Sequence, residues 1–126
     1  MSDERPDTYE LFRRGSELLE RGDNHAAIVA LAQVREREPG LDSVREAYGR
    51  ALFGAQRFSE AADEFAAVAE HDPTNHFALF CQGRALQQLG RHADARAPLT
   101  QALHLAPERA DYRRYLEQTL RKTDAA

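Results

Sequence analysis

Hydrophobic residues recur at intervals of three and four along most of the chain, which is the spacing that places them on one face of an α-helix. Short polar segments with glycine, proline or capping residues interrupt the apolar stretches, and no stretch alternates as a β-strand does. The pattern predicts helix pairs at roughly residues 8–21 with 24–37 and residues 75–89 with 92–105. Between them it indicates a further pair.

Polar residues mark the predicted helix starts. Ser43 and Glu46 are three residues apart, which is the spacing of a capping box at the start of the third helix. Ser59 is a candidate cap for the fourth helix and Thr74 for the fifth. Pro98 lies inside the sixth predicted helix, where it removes one backbone hydrogen bond, so we expect a mild bend there.

The chain also has an internal period of 34 residues. Three sets of residues follow this spacing. They are the prolines Pro39, Pro73 and Pro107, the glycines Gly15, Gly49 and Gly83, and the alanines Ala27, Ala61 and Ala95. Each proline lies where a second helix must end, because its ring and missing N–H prevent continuation. We expect each glycine to face the alanine of its own pair and to let the two helices approach closely.

A seventh helix is predicted after Pro107, at roughly residues 108–121. It places Tyr112, Leu116 and Leu120 on one face. Glu117 stands where a further pairing helix would need glycine, so we interpret this helix as a cap over the apolar end of the stacked repeats.

These residues resemble the signature of the tetratricopeptide repeat (TPR) family, which combines a leucine-glycine step, a small residue in the second helix and a closing proline. The resemblance implies an all-α, right-handed α-solenoid of three TPR helix-turn-helix repeats plus a C-terminal capping helix. We expect a single TPR domain at residues 8–121, with repeats at about 8–41, 42–75 and 76–109, a capping helix at 110–121, and flexible tails at 1–7 and 122–126.

Charge and cysteine content exclude several classes of protein. The net charge of −4 argues against a nucleic-acid partner, because such binders carry a strongly basic surface. Cys81 is the only cysteine, so no internal disulfide is expected, and a cytoplasmic location fits best. The longest uncharged run near the middle, residues 26–34, is too short to insert into a membrane. Lys122 is the only lysine among many arginines, which suggests GC-rich bacterial coding as a hypothesis.

Candidate catalytic and metal-binding chemistry is weak. No two of the five histidines share a helix face at the spacing of a zinc pair. Cys81 has no histidine beside it on the helical lattice. We therefore expect no enzyme activity, no metal and no cofactor. One basic cluster is a candidate phosphate contact, although a solvated cap face is the better interpretation: Arg109, Arg113, Arg114, Arg121 and Lys122.

The family resemblance further implies that the first helix of each pair lines a concave groove. The residues expected in this groove combine aromatic and charged side chains: Tyr9, Phe12, Arg13, Ser16, Glu46, Arg50, Phe53, Phe77, Phe80, Arg84, Gln87 and Arg114. The competing interpretation is that the phenylalanines belong to the core and the arginines are solvated. The positions of a chaperone-tail clamp read Phe12, Ser16, Ala47, Phe77 and Cys81, so that clamp is not expected.

The sequence thus favours a protein-interaction module, an adaptor or scaffold, that binds a peptide segment of a partner in this groove. The segment should carry one or two large apolar anchors and acidic groups that meet Arg50 and Arg84. The chain is expected to be a monomer or a weak homodimer. The alternative is structural self-association through the solenoid ends or the groove, with contacts such as Tyr112, Tyr115 or Phe77. A catalytic or ligand-binding domain would need a small-molecule pocket, and no sequence motif indicates one.

Overall fold

The computed structural model describes residues 7–124, and the regular secondary structure in this range is α-helical. The helices are α1 (Thr8–Glu20), α2 (Asn24–Arg37), α3 (Asp42–Gly54), α4 (Phe58–His71), α5 (His76–Gln88), α6 (His92–Leu105) and α7 (Ala110–Asp124). No β-strand occurs in this part of the chain, and the predicted all-α fold of paired helices is confirmed.

The helices divide between two compact units, Met1–Arg57 with α1 to α3 and Phe58–Ala126 with α4 to α7. The tails expected at both termini lie mostly outside the described residues. At the C-terminal end α7 continues through Asp124, so residues 122–124 are helical where a flexible tail was expected.

One turn recurs after the first helix of each pair, at a spacing of 34 residues. Gly22, Gln56 and Gly90 all have a left-handed backbone, with φ of 80°, 64° and 76°. In each turn the left-handed residue donates its N–H to a carbonyl three residues back, and the next residue donates to one five residues back. These paired bonds satisfy carbonyls at the helix end and turn the chain into the second helix. Glycine adopts this conformation without strain, whereas glutamine does not.

Side-chain caps fix the starts of α1 and α5. The carboxylate of Asp7 accepts a hydrogen bond from the N–H of Glu10 at 3.1 Å. The side chain of Asn75 accepts one from the N–H of Ala78 at 3.0 Å. Thr74, the cap expected for α5, is instead held by Asp72, which accepts from its N–H at 3.1 Å and from its hydroxyl at 2.7 Å. These two bonds lower the pKa of the Asp72 carboxyl.

Two further caps predicted from the sequence are wrong. Helix α3 begins at Asp42 with Leu41 as its N-cap and has no side-chain cap, so Ser43 lies inside the first turn instead of before it. Ser59 is likewise inside α4, because that helix begins one residue earlier. Both serines are the second residue of their helix, so neither stands at the N-cap, from which a side chain reaches the exposed N–H groups.

Close helix contacts hold each unit together, and their partners differ from those expected. A Cβ atom on Gly15 would lie 2.6 Å from Cγ of Leu31, and one on Gly83 would lie 2.5 Å from Cγ of Leu99. The predicted pairing of these glycines with Ala27 and Ala95 is therefore wrong. The alanines are fully buried, but the leucines one turn farther along the second helices fill the space above the glycines.

The core of the first unit includes a cluster of Leu11, Val34 and Val44, with Phe12 packed against it. In the second unit α5 packs against α4 and α6, and α6 packs against α7. Pro98 is buried within α6, which continues unbroken to Leu105. The largest fully buried side chains of the second unit are Phe65, Val68, Leu99, Tyr112 and Thr119.

The outer side of α1 differs from the matching side of α3. Arg13 forms an ion pair with Glu17 at 2.9 Å, and both side chains are at least half exposed. With Val29 and Gln33 of α2 they line an open cleft. The repeat positions that hold Glu10, Arg13 and Glu17 in α1 hold the buried apolar residues Val44, Ala47 and Ala51 in α3.

Candidate protein-binding surface

The first helices of the pairs carry the side chains predicted to meet a partner. In the first unit Tyr9 is 74% exposed, and Arg50 is exposed on α3. Phe12 is half-buried because one side of its ring packs against the core cluster. Ser16, Glu46 and Phe53 are half-buried. Of these predicted residues, Tyr9 and Arg50 are thus the exposed ones, and the others are partly covered.

Arg13 lies elsewhere than expected. Its guanidinium pairs with Glu17, and the residue lines the cleft between α1 and α2. It is thus part of the charged outer side of α1, together with Glu10 and Arg14.

The second unit places the matching positions of α5 in a different environment. Phe77 is 37% exposed and meets Phe65 edge-to-face, with ring centroids 6.5 Å apart. Phe80 stacks on Tyr112 of α7, with centroids 4.4 Å apart and an interplanar angle of 23°. It also contacts the ring of Tyr115 at 5.7 Å. Phe80 therefore helps to hold α7 against α5, as the core interpretation of the phenylalanines predicted for this residue.

Tyr112 is the centre of this packing and is fully buried. Its hydroxyl forms a 2.7 Å hydrogen bond with Nδ1 of His76, and the guanidinium of Arg109 lies 4.3 Å above its ring. Burial raises the pKa of the Tyr112 hydroxyl. Arg109 also donates two hydrogen bonds to Asp111, at 3.0 and 2.8 Å, and this contact lowers the pKa of that carboxyl. Tyr112 is therefore not a surface residue for self-association.

Gln87 is the groove residue whose environment differs most from the prediction. It is 6% exposed. Its Nε2 donates to the backbone carbonyl of Tyr115 at 2.7 Å and to the hydroxyl of Thr119. Its Oε1 accepts a hydrogen bond from Nη1 of Arg84 at 2.8 Å. The expected exposure of Gln87 is wrong, because its amide satisfies polar groups inside the contact between α5 and α7.

Two arginines meet on one aromatic ring beside this network. The guanidinium carbon of Arg84 lies 3.9 Å from the centroid of Tyr115, and that of Arg114 lies 5.0 Å from it. Arg84 is half-buried, whereas Arg114 is exposed. We call Arg84, Arg114 and Tyr115 the arginine-tyrosine cluster. Sequence reasoning named the two arginines and missed the tyrosine as their platform.

The spacing of residues along α7 could have identified the residues that the prediction overlooked. Tyr112, Tyr115 and Thr119 follow one another at intervals of three and four, which places them on one helix face. The prediction put Leu116 and Leu120 beside Tyr112, yet both leucines are half-buried, while Thr119 is fully buried. The face was assigned about one residue away from its true centre.

Within the described residues we find neither a cluster of metal-ligating side chains nor a helix suited to span a membrane. Among residues 7–124 no group of three or more histidine, cysteine or acidic side chains could hold a metal ion. Cys81 is half-buried. None of the helices in that range is long and apolar enough to cross a membrane.

Paired helices that present aromatic and arginine side chains on their first members define a helical-repeat protein of the kind that serves in protein-protein interaction. Two family models described as tetratricopeptide repeat match the sequence, at residues 18–82 and 81–119. The chain belongs to the tetratricopeptide repeat family.

Solved structures share this fold at low sequence identity. The protein titled MamA MSR-1 is 22% identical, with a TM-score of 0.88 over 98% of this chain and 71% of that chain. MamA from Desulfovibrio magneticus RS-1 is 21% identical, with a TM-score of 0.88 over 94% and 67%. The Sgt2 TPR domain from Aspergillus fumigatus is 19% identical, with a TM-score of 0.83 over 95% and 81%. A search of curated proteins gave no match. These likenesses establish the fold.

Proposed function

We propose that this chain binds a peptide segment of another protein along the first helices of its repeat pairs. The observation that carries the proposal is the exposure of large aromatic side chains there. Tyr9 is 74% exposed and Phe77 is 37% exposed. Burying such rings against a partner removes apolar area from water, and tyrosine and arginine are the residue types that dominate binding hot spots.

The arginines on the same helices define the chemistry of the partner. Arg50 and Arg84 occupy the same repeat position in α3 and α5. Arginine offers a planar fork of N–H donors that matches a carboxylate. The proposed segment therefore carries one or two large apolar anchors with acidic groups nearby. An affinity of order micromolar, about −8 kcal/mol, is typical of a short segment of this kind.

A photo-crosslinking amino acid placed at chosen positions tests the proposal in cells of the host. Tyr9 and Phe77 are the two test positions. Val29 in α2 and Ala97 in α6 are matched controls, because both are exposed but lie on second helices. We expect adducts with one other protein from the test positions, identified by mass spectrometry, and none from the controls. Adducts from the control positions alone would indicate that the binding surface lies on the second helices.

The same experiment separates partner binding from self-association. An adduct of the chain with a second copy of itself would favour a homo-oligomer, and light scattering across a concentration series would then show a stable dimer. A variant with Arg50→Glu and Arg84→Glu should lose the partner while circular dichroism shows that it remains helical. The cytoplasmic location expected from the single cysteine stays a prediction.

A further inference from the structure

We propose that the outer side of α1 is the contact surface of a weak homodimer, in which α1 of a second copy lies antiparallel to it. The inference rests on four charged residues of this side, which we call the charged row: Glu10, Arg14, Glu17 and Arg21. It goes beyond the proposed function and does not depend on it, because the charged row contains neither Tyr9 nor Phe77.

The repeat geometry makes this side of α1 a helix-packing surface. At the positions that match Glu10 and Glu17, helices α3, α5 and α7 carry buried, uncharged residues: Val44, Ala51, Ala78, Ala85, Tyr112 and Thr119. These three helices each pack against the helix that precedes them. No helix precedes α1 within residues 7–124. The side of α1 that corresponds to a packing surface is therefore uncovered in this part of the chain, and it carries charges in place of apolar groups.

The charged row alternates in sign. Its members are four, three and four residues apart, which places them on one side of the helix and matches the facing positions of two packed helices. All four side chains are exposed. Glu17 pairs with Arg13 at the edge of the row. The other three members form no ion pair within residues 7–124. The row thus presents negative, positive, negative and positive charges in that order.

An antiparallel pair of these rows brings opposite charges together at every position. When two copies of α1 lie antiparallel, Glu10 faces Arg21 of the second copy, and Arg14 faces Glu17. The twofold axis repeats both contacts, so four pairs of opposite charge form. In a parallel arrangement each residue would face its own counterpart, and four pairs of like charge would repel. The charge pattern therefore favours an antiparallel pair, with a second copy of the chain as the occupant of this surface.

The expected dimer is weak and closed. Exposed ion pairs each contribute little and are screened by salt, so the association should weaken as the ionic strength rises. Leu18 and Ala30 line the cleft beside the charged row, and the methylene stems of the second copy's arginines can cover this apolar surface. Because both copies use the same surface, the contact is complete with two chains.

Sedimentation equilibrium of the full chain across a concentration series, at low and at high ionic strength, tests the dimer. We expect a reversible monomer-dimer equilibrium whose dissociation constant rises with salt. The variants Arg14→Glu and Glu17→Arg each place like charges at both central contacts. Each should raise the dissociation constant about 10-fold or more, while circular dichroism shows unchanged helical content.

Two combinations of these changes separate charge pairing from a structural effect. A chain with both Arg14→Glu and Glu17→Arg again has opposite charges at the central contacts, so its dissociation constant should return towards that of the natural chain. An equimolar mixture of the two single variants should form a heterodimer, because the glutamates of one chain then face the arginines of the other. A variant that lost the dimer through misfolding would be rescued by neither combination.

Charge reversals elsewhere on the chain provide the matched control. The variant with Arg96→Glu and Glu117→Arg exchanges the same residue types at exposed positions of the second unit, and it should leave the dimer unchanged. A chain that stays monomeric at every concentration would overturn the inference. A dimer that is insensitive to the single charge reversals, or that neither combination restores, would overturn it as well. None of these results decides the proposed function, which is tested by adducts with another protein at Tyr9 and Phe77.

Discussion

Equivalent positions of the repeat have different roles in the two units. On α3 of the first unit, Arg50 is exposed to solvent. On α5 of the second unit, Arg84 at the same repeat position is half-buried and contacts the ring of Tyr115 on α7. The position within the repeat sets the direction of a side chain, whereas the helix packed beside it decides whether the side chain remains available to a partner.

Replacing the buried and the exposed tyrosine should give the largest difference between the units. Tyr112→Ala removes a fully buried ring that stacks on Phe80, so we expect the free energy of unfolding to fall by about 3–5 kcal/mol. Tyr9→Ala removes a ring that is 74% exposed, and the expected change is within about 0.5 kcal/mol. Urea denaturation followed by circular dichroism measures both.

Tyr112→Phe is the control for this comparison, because it keeps the ring and removes the hydrogen bond with His76. It should cost about 1–3 kcal/mol, because Nδ1 of His76 then loses a partner. If Tyr9→Ala and Tyr112→Ala lowered the free energy of unfolding equally, the proposed difference between the exposed and the buried tyrosine would be refuted.

The buried amide of Gln87 provides the second comparison. Gln87→Ala leaves the carbonyl of Tyr115 and the hydroxyl of Thr119 without their donor, and we expect a loss of about 1–3 kcal/mol in unfolding free energy. Gln88→Ala, at the exposed next position of the same helix, should change stability by less than about 0.5 kcal/mol. Similar values for the two variants would refute the structural role of Gln87.

The repeated left-handed turn allows two substitutions whose expected effects on the free energy of unfolding have opposite signs. Gln56→Gly in the first unit should raise the free energy of unfolding by about 1 kcal/mol, because glycine adopts the positive φ without strain. Gly90→Ala in the second unit should lower it by about 1 kcal/mol, since no atom lies near the added methyl group and only the backbone is strained. Thermal and urea unfolding of both variants should therefore shift in opposite directions.

The smallest expected effect appears at alkaline pH. The folded-state pKa of Tyr112 is raised above the ordinary tyrosine value of about 10, because burial favours the neutral hydroxyl. The neutral form stabilises the fold below about pH 10, and this stabilisation is lost as the pH rises through the folded-state pKa. Tyr112→Phe should therefore lose less stability than the natural chain as the pH rises above about 10. Parallel declines in urea unfolding would contradict this assignment.

The fold could be predicted from the sequence because its determinants repeat. Prolines, glycines and alanines at a spacing of 34 indicated the helix pairs and their order along the chain, and the helices within residues 7–124 follow this order. The individual side-chain contacts between helices could not be predicted from this spacing. Gly15 meets Leu31 instead of Ala27 because the packing of two helices depends on their relative rotation, which the period alone does not specify.

The candidate surface was predicted only in part. Tyr9 and Arg50 are exposed, which agrees with their predicted surface positions. Gln87 was assigned wrongly because its partners, Tyr115 and Thr119, are 28 and 32 residues away along the chain and belong to a helix outside the repeat pattern. A polar residue that becomes buried through distant partners leaves no local signal in the sequence.

The charged outer side of α1 also affects how copies of the chain can meet. A repeat surface that accepts another repeat through one end can add copies without limit and form a fibre. Here an approaching chain would have to strip water from Glu10, Arg14 and the ion pair of Arg13 with Glu17. Such desolvation is costly without matching charges. Association through this side of α1 would therefore require a partner surface with matching charges.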